Sequence, residues 1–181
     1  GDLLILTKPI GTGIVVEGVR GGKISEADVR PVFERMAVLN KAAAETMNRF
    51  DDVHAATDIT GFGLGGHGWE MASGSRVGLR FEFTCVPRWP VAEDLVARGI
   101  RSGVRLSDEQ ETQPKLVFDP SLTPEQQMFL LDPQTSGGLL IAVAADSAET
   151  LCAQLVDAGI ADAAICGEVF ATERPHLEIR P

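Results

Sequence analysis

The sequence holds no apolar run long enough to cross a bilayer. Its longest, around "GGLLIAVAA", falls far short of the roughly 20 residues that a membrane helix requires. A signal-peptide pattern is also missing. Basic clusters are absent: 16 Lys and Arg residues are outnumbered by 26 Asp and Glu, the net charge is −10, and no stretch is rich in Lys or Arg. That balance argues against nucleic acid or an anionic membrane as a partner. Cys85, Cys152 and Cys166 form no C-x-x-C pair, so neither a disulfide framework nor a zinc site is indicated, and a reducing, cytoplasmic setting is expected. Internal repeats and low-complexity tracts are lacking too.

What is present is an ordinary globular composition, 44% hydrophobic and 23% charged, in a chain of 181 residues, long enough for one domain with a sizeable core. Strand-like and helix-like segments interleave. "DLLILT" is a continuous apolar run that fits a strand covered on both faces. Val32, Phe33, Met36, Leu39, Ala43, Met47 and Phe50 recur at helical spacing and predict one long helix, with Pro31 in its first turn. "VHAATDI" reads as a strand, "LGGHGWEMA" as a helix, "VGLRFEF" as a strand and "RWPVAEDLVARG" as a helix. Thr123, Pro124 and Gln126 spell a capping box for "TPEQQMFLL". "GGLLIAVA" is a buried strand, and "DSAETLCAQLVDAG" a helix capped by Asp146 and closed by Gly159. "AAICGEVF" and "HLEIR" close the chain as strands, while the polar stretch from Ser102 to Pro120 carries no clear pattern. The interleaving predicts an α/β or α+β domain, a mixed sheet covered by helices. The chain opens directly on a strand, which is expected of a fragment.

Two turns carry the chemistry. Five of the eight residues from Gly61 to Gly68 are glycine, at the start of a helix that glycine weakens by about 1 kcal/mol per position. Close packing on a sheet is one explanation. A second is the dinucleotide fingerprint formed by Gly61, Gly63 and Gly66 with Glu82 about twenty residues on, although Asp58 would then set a carboxylate beside the pyrophosphate. A third takes Asp58 as a Mg²⁺ ligand at a strand end, with the glycines letting backbone N–H groups reach phosphate and the metal bridging the two charges. The second turn, "DPQTSGGLL", offers Gln134, Thr135 and Ser136 as hydrogen-bond donors lining the same cleft, or is a plain tight turn. Ser136 lacks the G-x-S-x-G setting of a nucleophile. Lys8 reads as a solvated strand-end charge or a phosphate partner, His67 as a surface or packing histidine more than a catalyst, and "SDEQE" as a solvated loop.

"GDLLILTKPIGTGI", "DVHAATDITGFGLGGH" and "DPQTSGGLLIAV", in that order and with "AAICGEV" near the end, resemble the selenophosphate synthetases (selenide, water dikinases). The resemblance spans nearly the whole chain and is weakest between Arg88 and Thr123. It implies a three-layer α/β sandwich, the C-terminal domain of a two-domain enzyme related to aminoimidazole ribonucleotide synthetase. Residues 1–181 would form that single domain, without the N-terminal domain that holds most of the ATP site and the dimer contact. The implied reaction takes ATP, selenide and water to selenophosphate, AMP and phosphate. Asp58 would be a Mg²⁺ ligand, with Thr60, Gly61, Gly63 and Gln134 around the phosphates. The family's reactive Cys or selenocysteine and its essential Lys sit in the N-terminal segment, so no catalytic residue is assigned here and none of the three cysteines inherits that role. Ala56 stands where the family often has Cys.

Overall fold

The computed structural model describes residues 1–102 and 115–181; the "SDEQE" run lies outside the described residues, as does most of the Ser102–Pro120 stretch. Seven strands form one mixed sheet: β1 (Asp2–Leu6), β2 (Val53–Asp58), β3 (Gly78–Glu82), β4 (Leu116–Phe118), β5 (Leu139–Ala144), β6 (Ala164–Phe170) and β7 (His176–Arg180), in the order β2-β5-β1-β6-β3-β7-β4. The neighbours from β2 to β3 pair antiparallel, whereas β7 runs parallel to both β3 and β4. The apolar run of β1 belongs near the middle because Leu4, Ile5 and Leu6 are fully buried.

Strand alternation divides the apolar side chains between two cores. Leu4, Leu6, Leu140, Ala142, Leu79 and Phe81 pack on one face, under α1 (Thr12–Arg20), α2 (Arg30–Ala37), α4 (Gly63–Ser75), α5 (Pro90–Ala97) and α6 (Pro124–Leu131). Ile5, Ile141 and Val143 pack on the other, under α3 (Lys41–Met47) and α7 (Ala145–Asp157). This is the expected three-layer arrangement, with one refinement. The second core reaches only as far as Ile165 on β6. Beyond it the same sheet face turns polar: Arg80 bonds Glu178 Oε2 at 2.8 Å and also Glu168, and lies 4.7 Å from the Phe170 ring centre.

Three sequence expectations change. The single long helix is two, because the chain leaves the helical conformation at Val38 (ψ 126). Its apolar stripe serves both cores, Val32 on the first face and Ala43 on the second. Asp146 does not cap α7; Ala144 holds that position, and Asp146 acts from within the first turn on the helix dipole. A helix also forms at α1, which two glycines at Gly11 and Gly13 had concealed. The capping box of α6 is present as read, with Thr123 Oγ1 accepting from the Gln126 N–H and Gln126 Oε1 accepting from the Thr123 N–H.

The second core is small and rests on α7, where Leu151 is fully buried. Leu151→Ala should lower the unfolding free energy by about 2–5 kcal/mol in a urea titration. A loss under about 1 kcal/mol would show that α7 is only loosely seated on the sheet.

Candidate functional site

One end of the sheet gathers most of the residues that the sequence marks. It is built where β1 runs out, β2 ends and β5 begins. The loop from Asp132 to Gly138 enters β5 there and is pinned from several sides. Ile59 N–H donates to Gly138 O at 2.9 Å and Gln134 N–H to Thr60 O at 2.9 Å, so the loop lies against the end of β2. Thr7 Oγ1 accepts from Leu139 N–H, Thr12 Oγ1 accepts from Thr135 N–H, and Asn40 Nδ2 donates to Gly137 O.

The strongest pins cap α1. A helix leaves its first four N–H groups without intrahelical partners. Here Gln134 Oε1 accepts from Gly11 N–H (3.0 Å), Thr12 N–H (3.2 Å) and Thr12 Oγ1 (3.0 Å), while Asp132 Oδ2 accepts from Gly13 N–H (3.1 Å). Gln134 Nε2 spends both protons on Asp132, at its carbonyl (2.6 Å) and Oδ2 (2.9 Å). Gln134 therefore has no donor left for a ligand, and its place is in the frame of the site. Asp132 is fully buried. Burial pushes its carboxyl up to about 6, against the pull of hydrogen bonds from Ser102, Gln134 and the Ile14 and Gly13 N–H groups.

Lys8 is not solvated. It is 5% exposed, and its ammonium donates to Val38 O at 2.7 Å and Ser136 O at 2.9 Å. Burial and the neighbouring Arg35 lower its pKa. The gap beside it measures ≈ 10 Å³, room for no more than a water. Lys8 thus ties the loop to the α2–α3 link and does not face an open phosphate site.

The opening itself is lined otherwise. Asp58 is exposed at the end of the edge strand β2, and its carboxylate has no hydrogen bond or ion pair among the described residues. Thr135 and Ser136 are exposed, with hydroxyls likewise unbonded among the described residues. Ser136 sits at φ 52, a left-handed value that costs a non-glycine residue energy and recurs at ligand clamps. A Cβ built on Gly61 meets nothing within 4 Å, so this position is open. Gly63 differs: its φ is +67 and a Cβ would sit 2.8 Å from Leu130 O. Packing accounts for Gly63, and for Gly68 against Leu177 and Phe81, but not for Gly61.

Thr60 is half-buried, and its hydroxyl lies 3.0 Å from His67 Nε2. His67 is buried, with Nδ1 2.9 Å from Glu70 Oε2. The sequence marks His67 only as a surface or packing histidine, although its three-residue spacing from Glu70 on one helix was available as a signal of the pair.

The dinucleotide arrangement does not fit. It needs the strand carrying the acidic residue to lie parallel beside the strand before the glycines. Glu82 instead ends β3, separated from β2 by three strands, and among the described residues β2 pairs only with β5, which is antiparallel. Among the described residues no group of three or more His, Cys, Asp or Glu side chains could hold a metal ion. No helix among them is long and apolar enough to cross a membrane. Of the cysteines, Cys166 is buried and its thiol is pushed up to about 12, and burial also raises Cys152. Neither is a thiolate nucleophile.

Residues 1–180 match the family described as AIR synthase related protein, C-terminal domain. The chain is 40% identical over 182 residues to a selenide, water dikinase of Bdellovibrio bacteriovorus, covering 100% of this chain and 51% of that protein. It is 43% identical over 169 residues to a selenide, water dikinase of Pelobacter propionicus, covering 93% and 48%. The chain thus spans about half the length of the curated relatives it matches. The fold is similar to that of a hydrogenase maturation protein HypE solved in complex with ATP, with a TM-score of 0.66 and 18% identity over 99% of this chain and 48% of that one.

The raised Asp132 carboxyl has a consequence for stability. Its folded pKa of about 6 lies above the ordinary 3.8, so the folded state holds the proton more tightly and stability from this group falls as pH rises from about 4 to 6. Two pK units correspond to about 3 kcal/mol at most. The difference in unfolding free energy between wild type and Asp132→Asn should therefore shrink by up to that amount from pH 4 to 6 and level off above pH 7. A difference independent of pH across that range would contradict the raised value.

Proposed function

The chain belongs to the AIR synthase related C-terminal domain family, and on that premise we propose that it is the phosphate-closing C-terminal domain of a selenide, water dikinase. The full-length reaction under this reading converts ATP, selenide and water to selenophosphate, AMP and phosphate. The observation that carries it is the match of the whole chain to one half of relatives bearing that name. The other half of the enzyme is then an N-terminal domain that supplies most of the nucleotide site, the nucleophile and the dimer contact, in a cytoplasmic protein.

This chain's share is positioning and charge neutralisation at the transferring phosphoryl groups. Asp58 is the residue proposed to hold Mg²⁺. A lone exposed carboxylate suits that ion, which keeps several waters and phosphate oxygens in its shell and does not require an all-protein cage. The ion would shield phosphate charge from Asp58. Thr135, Ser136 and the backbone at Gly61 stand where they can contact phosphate oxygens, while Gln134, Asp132 and Lys8 hold that edge in shape. The fold likeness to HypE favours, as the second reading, another ATP-dependent enzyme of the same superfamily. Dependence of ATP turnover on selenide separates the two.

The 181 residues alone should show no selenide-dependent conversion of ATP to AMP, since the nucleophile and most of the nucleotide site lie elsewhere. Robust turnover by the isolated chain would overturn the division of labour. In the two-domain enzyme, Asp58→Asn should lower selenophosphate formation at least tenfold, about 1.4 kcal/mol of lost transition-state stabilisation. It should leave the melting temperature nearly unchanged, because the carboxylate is exposed and has no partner among the described residues. Added Mg²⁺ should restore part of the rate. Wild-type turnover at limiting Mg²⁺ would remove Asp58 from the metal.

A further inference from the structure

Thr60, His67 and Glu70 form a hydroxyl–imidazole–carboxylate chain at the entrance to α4. Thr60 is fixed at its backbone, since its carbonyl accepts from both Gly63 N–H (3.0 Å) and Gln134 N–H (2.9 Å). As a β-branched residue it has few side-chain orientations. His67 is 8% exposed and lies under the Phe62 ring, with centres 5.5 Å apart. Glu70 stands on the solvent side of the imidazole, one helical turn along.

The order of donors in this chain follows from valence. A carboxylate only accepts, so the imidazole nitrogen 2.9 Å from Glu70 Oε2 must carry the proton. With Nδ1 protonated, the neutral ring has a bare lone pair on Nε2. The Thr60 hydroxyl, 3.0 Å away, can then only donate to it. Its single proton is then spent on His67, and the oxygen of this half-buried residue keeps only acceptor capacity.

We propose that His67, held by Glu70, is a positioning residue that makes Thr60 a hydrogen-bond acceptor at the open end of the sheet, so that Thr60 takes a water of the hydrated magnesium–phosphate ligand and not a bare phosphate oxygen. This rests on the reading that Asp58 holds the metal there, and it changes the part expected of Thr60. Phosphate oxygens without protons cannot donate to an acceptor. Water bound to a divalent cation is a strengthened donor and can. An ion with one protein carboxylate keeps several such waters.

Two measurements test this. Nitrogen-15 spectra of the histidine rings in the 181-residue chain report the tautomer directly, with His67 assigned by its loss in His67→Phe. The neutral Nδ1–H form is expected; the Nε2–H form, or a doubly protonated ring whose Nε2–H would donate to Thr60, would overturn the proposal. In the two-domain enzyme, the Mg²⁺ concentration for half-maximal rate with ATP is compared among Thr60→Val, His67→Phe and the double variant. Each single change should raise it at least threefold, the double no further than Thr60→Val, and Thr60→Ser should stay near wild type. Additive effects would overturn the proposal. If His67→Phe does not fold, the exposed Glu70→Ala replaces it in both measurements, with both tautomers expected in the spectrum and a raised Mg²⁺ requirement in the Thr60 background but none beyond that of Thr60→Val. Asp58→Asn separates the two claims. An unchanged Mg²⁺ requirement in that variant removes the metal from this end of the sheet and the proposal with it. A changed requirement beside an additive cycle overturns the proposal alone.

Discussion

The hydrogen bonds that Gln134 and Asp132 make to the first turn of α1 hold the functional end of the sheet together. They join positions 119 to 123 residues apart and satisfy N–H groups that have no partner within the helix. Each such group left buried and unpaired would cost about 1–3 kcal/mol. Because β1 leads into α1 and the clamp loop leads into β5, the same bonds fix the ends of two strands that pair directly. Lys8 and Asn40 brace the loop from the α2–α3 side. The helix dipole favours Asp132 as an anion while burial favours its protonated form, and burial has the larger effect. The clamp thus carries a cost above pH 6 that a purely structural neutral pair would not.

Under the proposed function, rigidity at this end would have a chemical use. A phosphoryl-transfer site works by holding charge in place before the reaction starts. Here the internal groups bond mainly to one another, Asp132 Oδ1 and Asn40 Oδ1 excepted, and the outward ones, Asp58, Thr135 and Ser136, have no partners among the described residues. The glycines divide in the same way. Gly63 lets α4 approach the backbone at Leu130 and Asp132, which keeps the helix start near the clamp, whereas Gly61 faces open space. One glycine-rich turn thus holds a packing position at Gly63 and an open one at Gly61, which under the proposed function would give a ligand access.

Much of the fold was legible because its signals are local. The buried runs of β1 and β5, the capping box at Thr123 and the strand–turn–helix around Asp58 each depend on residues close in sequence. The failures depend on distant partners. Lys8 looks like a solvated charge until Val38 and Ser136, 30 and 128 residues away, supply carbonyls. Gln134 looks like a ligand donor until α1 claims its oxygen and Asp132 takes both protons of its amide nitrogen. The apolar stripe from Val32 to Phe50 has helical spacing throughout, yet spacing does not reveal that the chain crosses from one sheet face to the other at Val38. The pairing of His67 with Glu70 was the avoidable omission, since Glu70 lies at i+3 on the same helix.

Under the proposed function, the phosphates and their metal would sit at the end of β2, against the clamp. The most direct test is a structure of the two-domain enzyme with Mg²⁺ and a non-hydrolysable ATP analogue. The account predicts an Asp58 oxygen in the metal's coordination shell, at about 2.0–2.1 Å, with the Thr135–Ser136 edge beside the phosphates and the Gln134 and Asp132 bonds to α1 unchanged. Phosphates bound at the opposite end of the sheet, or a Gln134 side chain released from α1 to reach them, would contradict it.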